Sequence, residues 1–301
     1  MTTHSISAPG KVILSGEHAV VYGYPALVSA VNMRLTLSLK AKSSKKTTKP
    51  ILKMPTAEYI SAYLKQNYAV NIHSDIPRGS GLGSSAAYAV SLATAYLSLR
   101  GKPTKKHIND LAFQLEKSHH GNPSGVDNTA CTYGGYLWFR KEHQQLHLMH
   151  QLPITKKIQC FLLQSGQPKE TTKDMIAYVA EQRKMNPEKY KKIFDKIESI
   201  TKTWLAYMFD EVSRHTLLEA VRENHRLLSA LGVVSPKASA LIAEIEKIGG
   251  SAKITGAGGK SDGSGMLLIF HDDKEKLTKF AQKKKLKMYP VQLGERGVIL
   301  T

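Results

Sequence analysis

An α+β fold in two lobes is what this sequence predicts, on three observations. Leu27–Leu39 alternates β-branched and apolar with polar residues. Apolar residues recur at helical spacing from Pro187 to Ile248. The composition shifts at Leu152-Pro153, which divides the 301 residues into 1–152 and 153–301. A chain of this length buries a full core as one large domain or two moderate ones.

Ser5–Lys11 reads as a strand leading into a turn at Pro9-Gly10, and Val12-Ile13-Leu14 as a short apolar run ending at Ser15-Gly16. In Leu27–Leu39, Leu35, Leu37 and Leu39 oppose Thr36 and Ser38, the period of a half-buried strand. Ala57–Gln66 is a helix, and Val70–Ile76 a strand entering a glycine loop. Thr104–His119 is a helix: Thr104 can cap it, and Ile108, Leu111, Ala112 and Leu115 share one face. Gly121–Gly125 breaks that helix, and strand resumes over Tyr133–Phe139 with a bend at Gly134-Gly135.

In the second half Ile158–Gln164 is an apolar strand. Pro187–Met208 carries Ile193, Ile197, Ile200, Trp204 and Met208 on a helical face; Leu217–Leu231 and Lys237–Ile248 repeat the pattern, separated by Gly232 and Pro236. Ala252–Thr255 and Met266–Phe270 are strands flanking a second glycine-rich loop.

The balance of 43 Lys+Arg against 24 Asp+Glu gives +19 and an attraction for anions such as ATP. Lys42, Lys45, Lys46 and Lys49 fall in a polar loop, and the lysines from Lys274 to Lys287 surround Leu277, Phe280 and Ala281 as the wet side of an amphipathic helix. No aromatic pattern interleaves with them, so no nucleic-acid partner is expected. Cys131 and Cys160 form no CxxC and no Cys/His spacing typical of zinc, so reduced thiols are the expectation. The first residues have neither a basic nor an apolar leader segment, and Ala86–Leu99 is too short to span a bilayer. A cytoplasmic protein with no membrane partner is the expectation.

The most informative stretch is Pro77-Arg78-Gly79-Ser80-Gly81-Leu82-Gly83-Ser84-Ser85, which opens the helix-forming run from Ala86. Exposed backbone N–H groups at a helix start form an anion site, and a nucleotide phosphate is the anion they suit. Two other phosphate motifs fail. Gly258-Gly259-Lys260-Ser261 ends like a P-loop, but the required leading glycine falls on Ile254, and no GxGxxG is present.

Three further segments join the Gly-Ser loop. They are Ala8-Pro9-Gly10-Lys11 through Gly16-Glu17-His18-Ala19-Val20-Val21-Tyr22-Gly23; Glu116 through His120-Gly121-Asn122-Pro123-Ser124-Gly125-Val126-Asp127-Asn128; and Lys253-Ile254-Thr255-Gly256-Ala257-Gly258-Gly259. Their order and content resemble the GHMP small-molecule kinases, most closely the mevalonate kinase branch, over residues 8–259. The galactokinase continuation Thr-Asp-Tyr after Gly-Glu-His is absent.

That resemblance implies a ribosomal S5 domain 2-like N-terminal lobe, a ferredoxin-like C-terminal lobe, and transfer of the ATP γ-phosphoryl group to the 5-hydroxyl of mevalonate. It assigns ATP binding to Gly79, Ser80, Gly81, Leu82, Gly83, Ser84, Ser85, Gly256, Ala257 and Gly258. Ser85 and Glu116 become the Mg²⁺ ligands, a hard-oxygen pair. Asp127 becomes the catalytic base, with Lys11 beside it. Glu17, His18, Asp127, Thr171 and Thr172 become substrate-binding residues, Thr171 and Thr172 being alternatives. Taken alone, Glu116 reads as a surface carboxylate, Lys11 as a turn lysine and His18 as a core histidine bonded to backbone. The resemblance leaves monomer or homodimer open. One departure stands out: the last glycine run continues as Lys260-Ser261-Asp262-Gly263-Ser264-Gly265. Lys260 and Asp262 either contact phosphate or Mg²⁺ or only widen an exposed loop, and the exposed loop is the expectation.

Overall fold

A computed structural model describes residues 3–42, 56–120, 124–143 and 147–301. The lysine loop called at Lys45, Lys46 and Lys49, and the start of the helix break at Gly121, lie outside the described residues.

Ten strands and nine helices are described. The strands are β1 (Thr3–Ser15), β2 (Pro25–Ala41), β3 (Tyr68–Ser74), β4 (Tyr136–Lys141), β5 (His147–Gln151), β6 (Gln159–Gly166), β7 (Ser251–Ile254), β8 (Gly265–Phe270), β9 (Met288–Gln292) and β10 (Ile299–Leu300). The helices are α1 (Ala57–Asn67), α2 (Ser84–Ser98), α3 (Lys105–His120), α4 (Val126–Tyr133), α5 (Thr172–Met185), α6 (Pro187–Met208), α7 (Arg214–Ala230), α8 (Pro236–Lys247) and α9 (Lys274–Lys283). Among the described residues no helix is long and apolar enough to cross a membrane.

The strands form two sheets. One runs β10-β1-β2-β4-β5, with β3 also on β2; the other runs β7-β8-β6-β9. All pairs are antiparallel. The 17-residue β2 carries two partners end to end along one side: β4 on Pro25–Ser29 and β3 on Leu35–Ala41. Its burial alternates from Met33 to Leu39, as the sequence period predicts. The α6 face chosen from the sequence is buried, with Trp204 packed 5.7 Å from Phe270 between ring centroids.

Pro9-Gly10 is not a turn. β1 passes straight through it, and the pairing with β2 slips there, from Pro9 opposite Arg34 to Gly10 opposite Val31. A bulge of this kind tolerates proline and re-aims the residue that follows. Gly10 is needed for close approach: a Cβ there would lie 2.9 Å from the Leu82 carbonyl oxygen, which also accepts the Lys11 N–H at 2.9 Å. The bulge therefore delivers Lys11 to the glycine loop.

Five elements escape the sequence reading. α4 is two turns long, α5 is mostly polar with only Met175 and Val179 buried, β5 is a histidine-bearing edge strand, and β9 and β10 are short strands near the end of the chain. The chain leaves the first sheet after β5 and returns to it with β10, which pairs Ile6 with Leu300. Gly134 sits under this returning segment. Its φ is +72°, and a Cβ would lie 2.0 Å from the Gly297 nitrogen. Gly134→Ala is expected to cost about 2–4 kcal/mol from left-handed strain plus a backbone clash, read as a lower urea midpoint at unchanged slope.

Candidate active site

Four elements meet around Lys11. The residue is 4 % exposed, and its Nζ lies 3.0 Å from Asp127 Oδ1. The Asp127 side chain is 39 % exposed, so the carboxylate is paired on one side and open on the other. Asp127 occupies the first turn of α4, where a negative charge suits the helix dipole. The preceding N-cap residue, Gly125, has φ +79°.

The glycine loop approaches from the other side. Gly79, Gly81 and Gly83 have φ of +67°, +77° and +78°, values that L side chains rarely adopt. Ser80 braces the loop: its hydroxyl donates to the Pro77 carbonyl at 2.6 Å and accepts from the Leu82 N–H at 3.4 Å. Leu82 is fully buried and anchors the loop. Gly83 is the N-cap of α2, and a Cβ on it would fall 2.9 Å from Lys11 Cγ. The lysine stem thus lies across the start of the helix that begins with Ser84 and Ser85.

Glu116, on α3, is 5 % exposed and accepts a hydrogen bond from Ser85. Burial, then the neighbouring Asp127 carboxylate, push its carboxyl up to about 7; the Ser85 bond and Lys11 act the other way. Lys11, Asp127, Ser85 and Glu116 therefore form one electrostatically coupled group.

The second glycine loop adjoins the first. A Cβ on Gly81 would lie 3.9 Å from the Thr255 carbonyl oxygen, and one on Gly265 would lie 3.8 Å from the Ser80 carbonyl oxygen. Gly256 has φ +94° with open space beside it, whereas Gly258, at φ +73°, is tight against the Val233 carbonyl. Ala257 lies between them and receives His18. The His18 Nε2 donates to the Ala257 carbonyl at 2.9 Å, which fixes the neutral tautomer with the proton on Nε2. Burial lowers the His18 pKa to about 4.

Glu17 turns to Lys253, a motif residue to which the sequence assigns no role. The two are 1 % and 0 % exposed and form a short ion pair. Lys253 also donates to the Ile254 carbonyl at 2.8 Å and the Ile13 carbonyl at 3.3 Å. Glu17 Oε2 has no hydrogen-bond partner among the described residues. Burial raises the Glu17 pKa and lowers that of Lys253, each opposed by the other's charge. Between them, the Thr255 hydroxyl accepts from the Ile13 N–H at 2.9 Å and donates to the Ile13 carbonyl at 3.1 Å. Three alternate residues, 253, 255 and 257, are thus each bonded to the segment 13–18.

Thr171 and Thr172 begin α5 and are exposed. The Thr171 hydroxyl accepts from the Asp174 N–H at 3.2 Å while Asp174 Oδ2 accepts from the Thr171 N–H at 2.8 Å, a capping box. Their segment reaches the phosphate loop at Gln167, whose Nε2 is 3.4 Å from a Cβ position on Gly79. Lys260 and Asp262 are exposed, as the sequence suggests, but the loop they widen is tied to Lys169, Glu170 and Tyr178. The sequence missed Lys253 and Glu170. The signal for Lys253 was a charged residue between Ala252 and Ile254 in an apolar strand; Glu170 gave none.

Comparisons with known proteins bear on the family and the fold. The family profile described as GHMP kinases N terminal domain matches residues 51–135. The fold and the convergence at Lys11 define the same class, a phosphotransferase of the GHMP kinase type. A mevalonate kinase of Archaeoglobus fulgidus is 35% identical over 288 residues, covering 90% of this chain and 93% of the relative. One of Mus musculus is 30% identical over 345 residues, covering 88% and 85%. The chain belongs to the mevalonate kinase family. Its fold superposes on L. major mevalonate kinase in complex with R-mevalonate with a TM-score of 0.80 at 20% identity, covering 97% of this chain and 96% of the other. For the Methanococcus jannaschii mevalonate kinase the TM-score is 0.76 at 23% identity, covering 97% and 98%.

Two outcomes follow from the buried charges. Lys253→Met leaves Glu17 buried without a counter-charge and is expected to cost about 3–5 kcal/mol, with much of the loss recovered in Lys253→Met/Glu17→Leu; urea unfolding of the three proteins checks it. In metal-free protein Glu116 ionises at about 7 when folded against 4.5 in its ordinary state. Between these values the unfolded chain gives up the proton while the folded chain keeps it. This contribution is thus present at low pH, is lost as pH rises to 7, and is level above. Glu116→Gln should remove that fall, gaining roughly 1–3 kcal/mol over the wild type at pH 8 but not at pH 4, seen in paired melting curves.

Proposed function

We propose that this chain transfers the γ-phosphoryl group of ATP to the 5-hydroxyl of mevalonate, giving ADP and 5-phosphomevalonate. The observation that carries the reading is the Asp127 carboxylate, paired to Lys11 at 3.0 Å and open on its other side, next to a helix that starts from left-handed glycines. Residues 1–152 are assigned to one lobe and 153–301 to the other, except that β10 pairs with β1 in the first sheet, with the reaction at the contact of their glycine loops.

The loop from Gly79 to Ser85 binds phosphate through backbone N–H groups and the α2 dipole, and Gly256–Gly258 borders the same space. Asp127 accepts the proton of the attacking hydroxyl through its open oxygen. Lys11 holds that carboxylate in place and adds positive charge where the alcohol oxygen becomes anionic. His18 and Glu17 act from behind, holding the second glycine loop against the first lobe.

The Ser85 hydroxyl and Glu116 carboxylate suit Mg²⁺, a hard cation bound through few protein oxygens and several waters. Among the described residues no group of three or more His, Cys, Asp or Glu competes for a metal. Burial first, and the Asp127 charge second, raise the Glu116 pKa, and a cation bound there would oppose both, which supports the fit. When bound, Mg²⁺ neutralises phosphate charge during transfer.

Coupled ADP-release assays with mevalonate, phosphomevalonate, homoserine and galactose test the reading, which requires turnover with mevalonate. Turnover confined to another acceptor would overturn it. Asp127→Asn is expected to lower kcat by about 10²–10⁴-fold, with ATP affinity held within about threefold; wild-type turnover in that variant would remove Asp127 from the role of base.

A further inference from the structure

The loop that departs from the family's plain glycine run has no task in the reaction above, yet it is firmly held. Glu170 Oε2 accepts from the Lys260 N–H at 3.2 Å and the Ser261 N–H at 3.5 Å, and Oε1 accepts from the Ser261 hydroxyl at 2.8 Å. Lys169 pairs with Asp262 at 3.0 Å. The Lys260 ammonium stands 3.9 Å from the centre of the Tyr178 ring on α5. The backbones touch as well. A Cβ on Gly259 would fall 2.4 Å from Pro168 Cβ, and one on Gly263 would fall 2.4 Å from the Gly166 carbonyl carbon. Segment 259–263 is closed down on segment 166–170.

These ties are unequal. The Lys169–Asp262 side chains are 72% and 62% exposed, and such pairs contribute little. Glu170 makes charge-assisted bonds to two successive backbone N–H groups and a hydroxyl, which a neutral side chain cannot reproduce. Both segments are continuous with residues that border the phosphate loop. Gln167, in the first, meets Gly79; Thr255 and Gly265, which flank the second on either side, meet Gly81 and Ser80. The first segment then runs directly into Thr171 and α5.

We propose that Glu170 is a positioning residue: its carboxylate locks segment 166–171 to segment 259–263, fixing the spacing of two walls of the phosphate loop, so that nucleotide and acceptor are held by one clasp. The proposal rests on the phosphoryl-transfer reading and deepens it. Glu170 acts through the loops, so the effect falls on binding more than on the chemical step.

The test uses the full chain with Glu170→Ala, Glu170→Gln and Lys169→Ala. Glu170→Ala should raise KM for ATP and for mevalonate together by about five- to tenfold, while kcat stays within about threefold. Glu170→Gln, which keeps one acceptor oxygen, should recover part of the loss. Lys169→Ala should leave both KM values within about twofold, as expected for an exposed pair. Calorimetric titration with a non-hydrolysable ATP analogue should show the Glu170→Ala Kd weakened in step with KM. Wild-type KM and Kd in Glu170→Ala, with or without a lower Tm, would overturn the proposal, as would loss of kcat at unchanged KM. If Glu170→Ala does not fold, Glu170→Gln and Ser261→Ala carry the same comparison. Absence of mevalonate turnover in the wild type would sink the functional reading instead, and the calorimetry would still decide the role of Glu170.

Discussion

A charged pair with no access to water ties the two sheets together. Lys253 leaves β7 and Glu17 follows β1, and each is tolerable in the interior only because the other is there. Thr255 and His18 extend that pair into a seam, so alternate residues of one strand and the turn beyond it are bonded to segment 13–18. Alternation is what an extended chain offers on one face. Ala257 is thereby placed between Gly256 and Gly258, two residues beyond Thr255, whose carbonyl faces Gly81, and the second glycine loop inherits its position from this buried contact. Ser15 continues the seam outward, bonded to Thr201 at 2.8 Å and to Asn224 at 3.0 Å.

The reactive group is assembled from elements each turned by a local backbone device. A bulge at Pro9-Gly10 delivers Lys11, a left-handed Gly83 starts α2 beneath its stem, and a left-handed Gly125 starts α4 with Asp127 in its first turn. Rigid placement matters because phosphoryl transfer asks the protein for position and charge more than for covalent chemistry. Glu116 shows the cost of the arrangement: burial, and then the one neighbouring carboxylate of Asp127, push its pKa up to about 7.

Much of this was legible in the sequence where the signal is local. Helices such as α6 and α8 announce themselves by apolar spacing and a proline at the start, and the glycine loops by residue type. The four motifs supplied Lys11, Glu116 and Asp127 through family likeness, since as single residues each read as something plainer. Pro9-Gly10 misled because a bulge and a turn use the same residues. α5 was missed because its polar surface leaves little periodicity, and α4 because two turns are too few to show any. The partners Glu17 and Lys253 lie 236 positions apart, so no window along the chain could join them.

The return of β10 to β1 has a consequence for how the protein is made. Residues Ser5 and Thr301 exchange backbone hydrogen bonds at 2.8 and 2.9 Å, and Arg34 donates to the carbonyls of Arg296 and Gly297. A ribosome that has delivered the first half has therefore not yet delivered an edge of the sheet that half contains. Until translation passes residue 300, β1 emerges with an unoccupied flank, and the nascent polypeptide must be kept from unwanted pairing there.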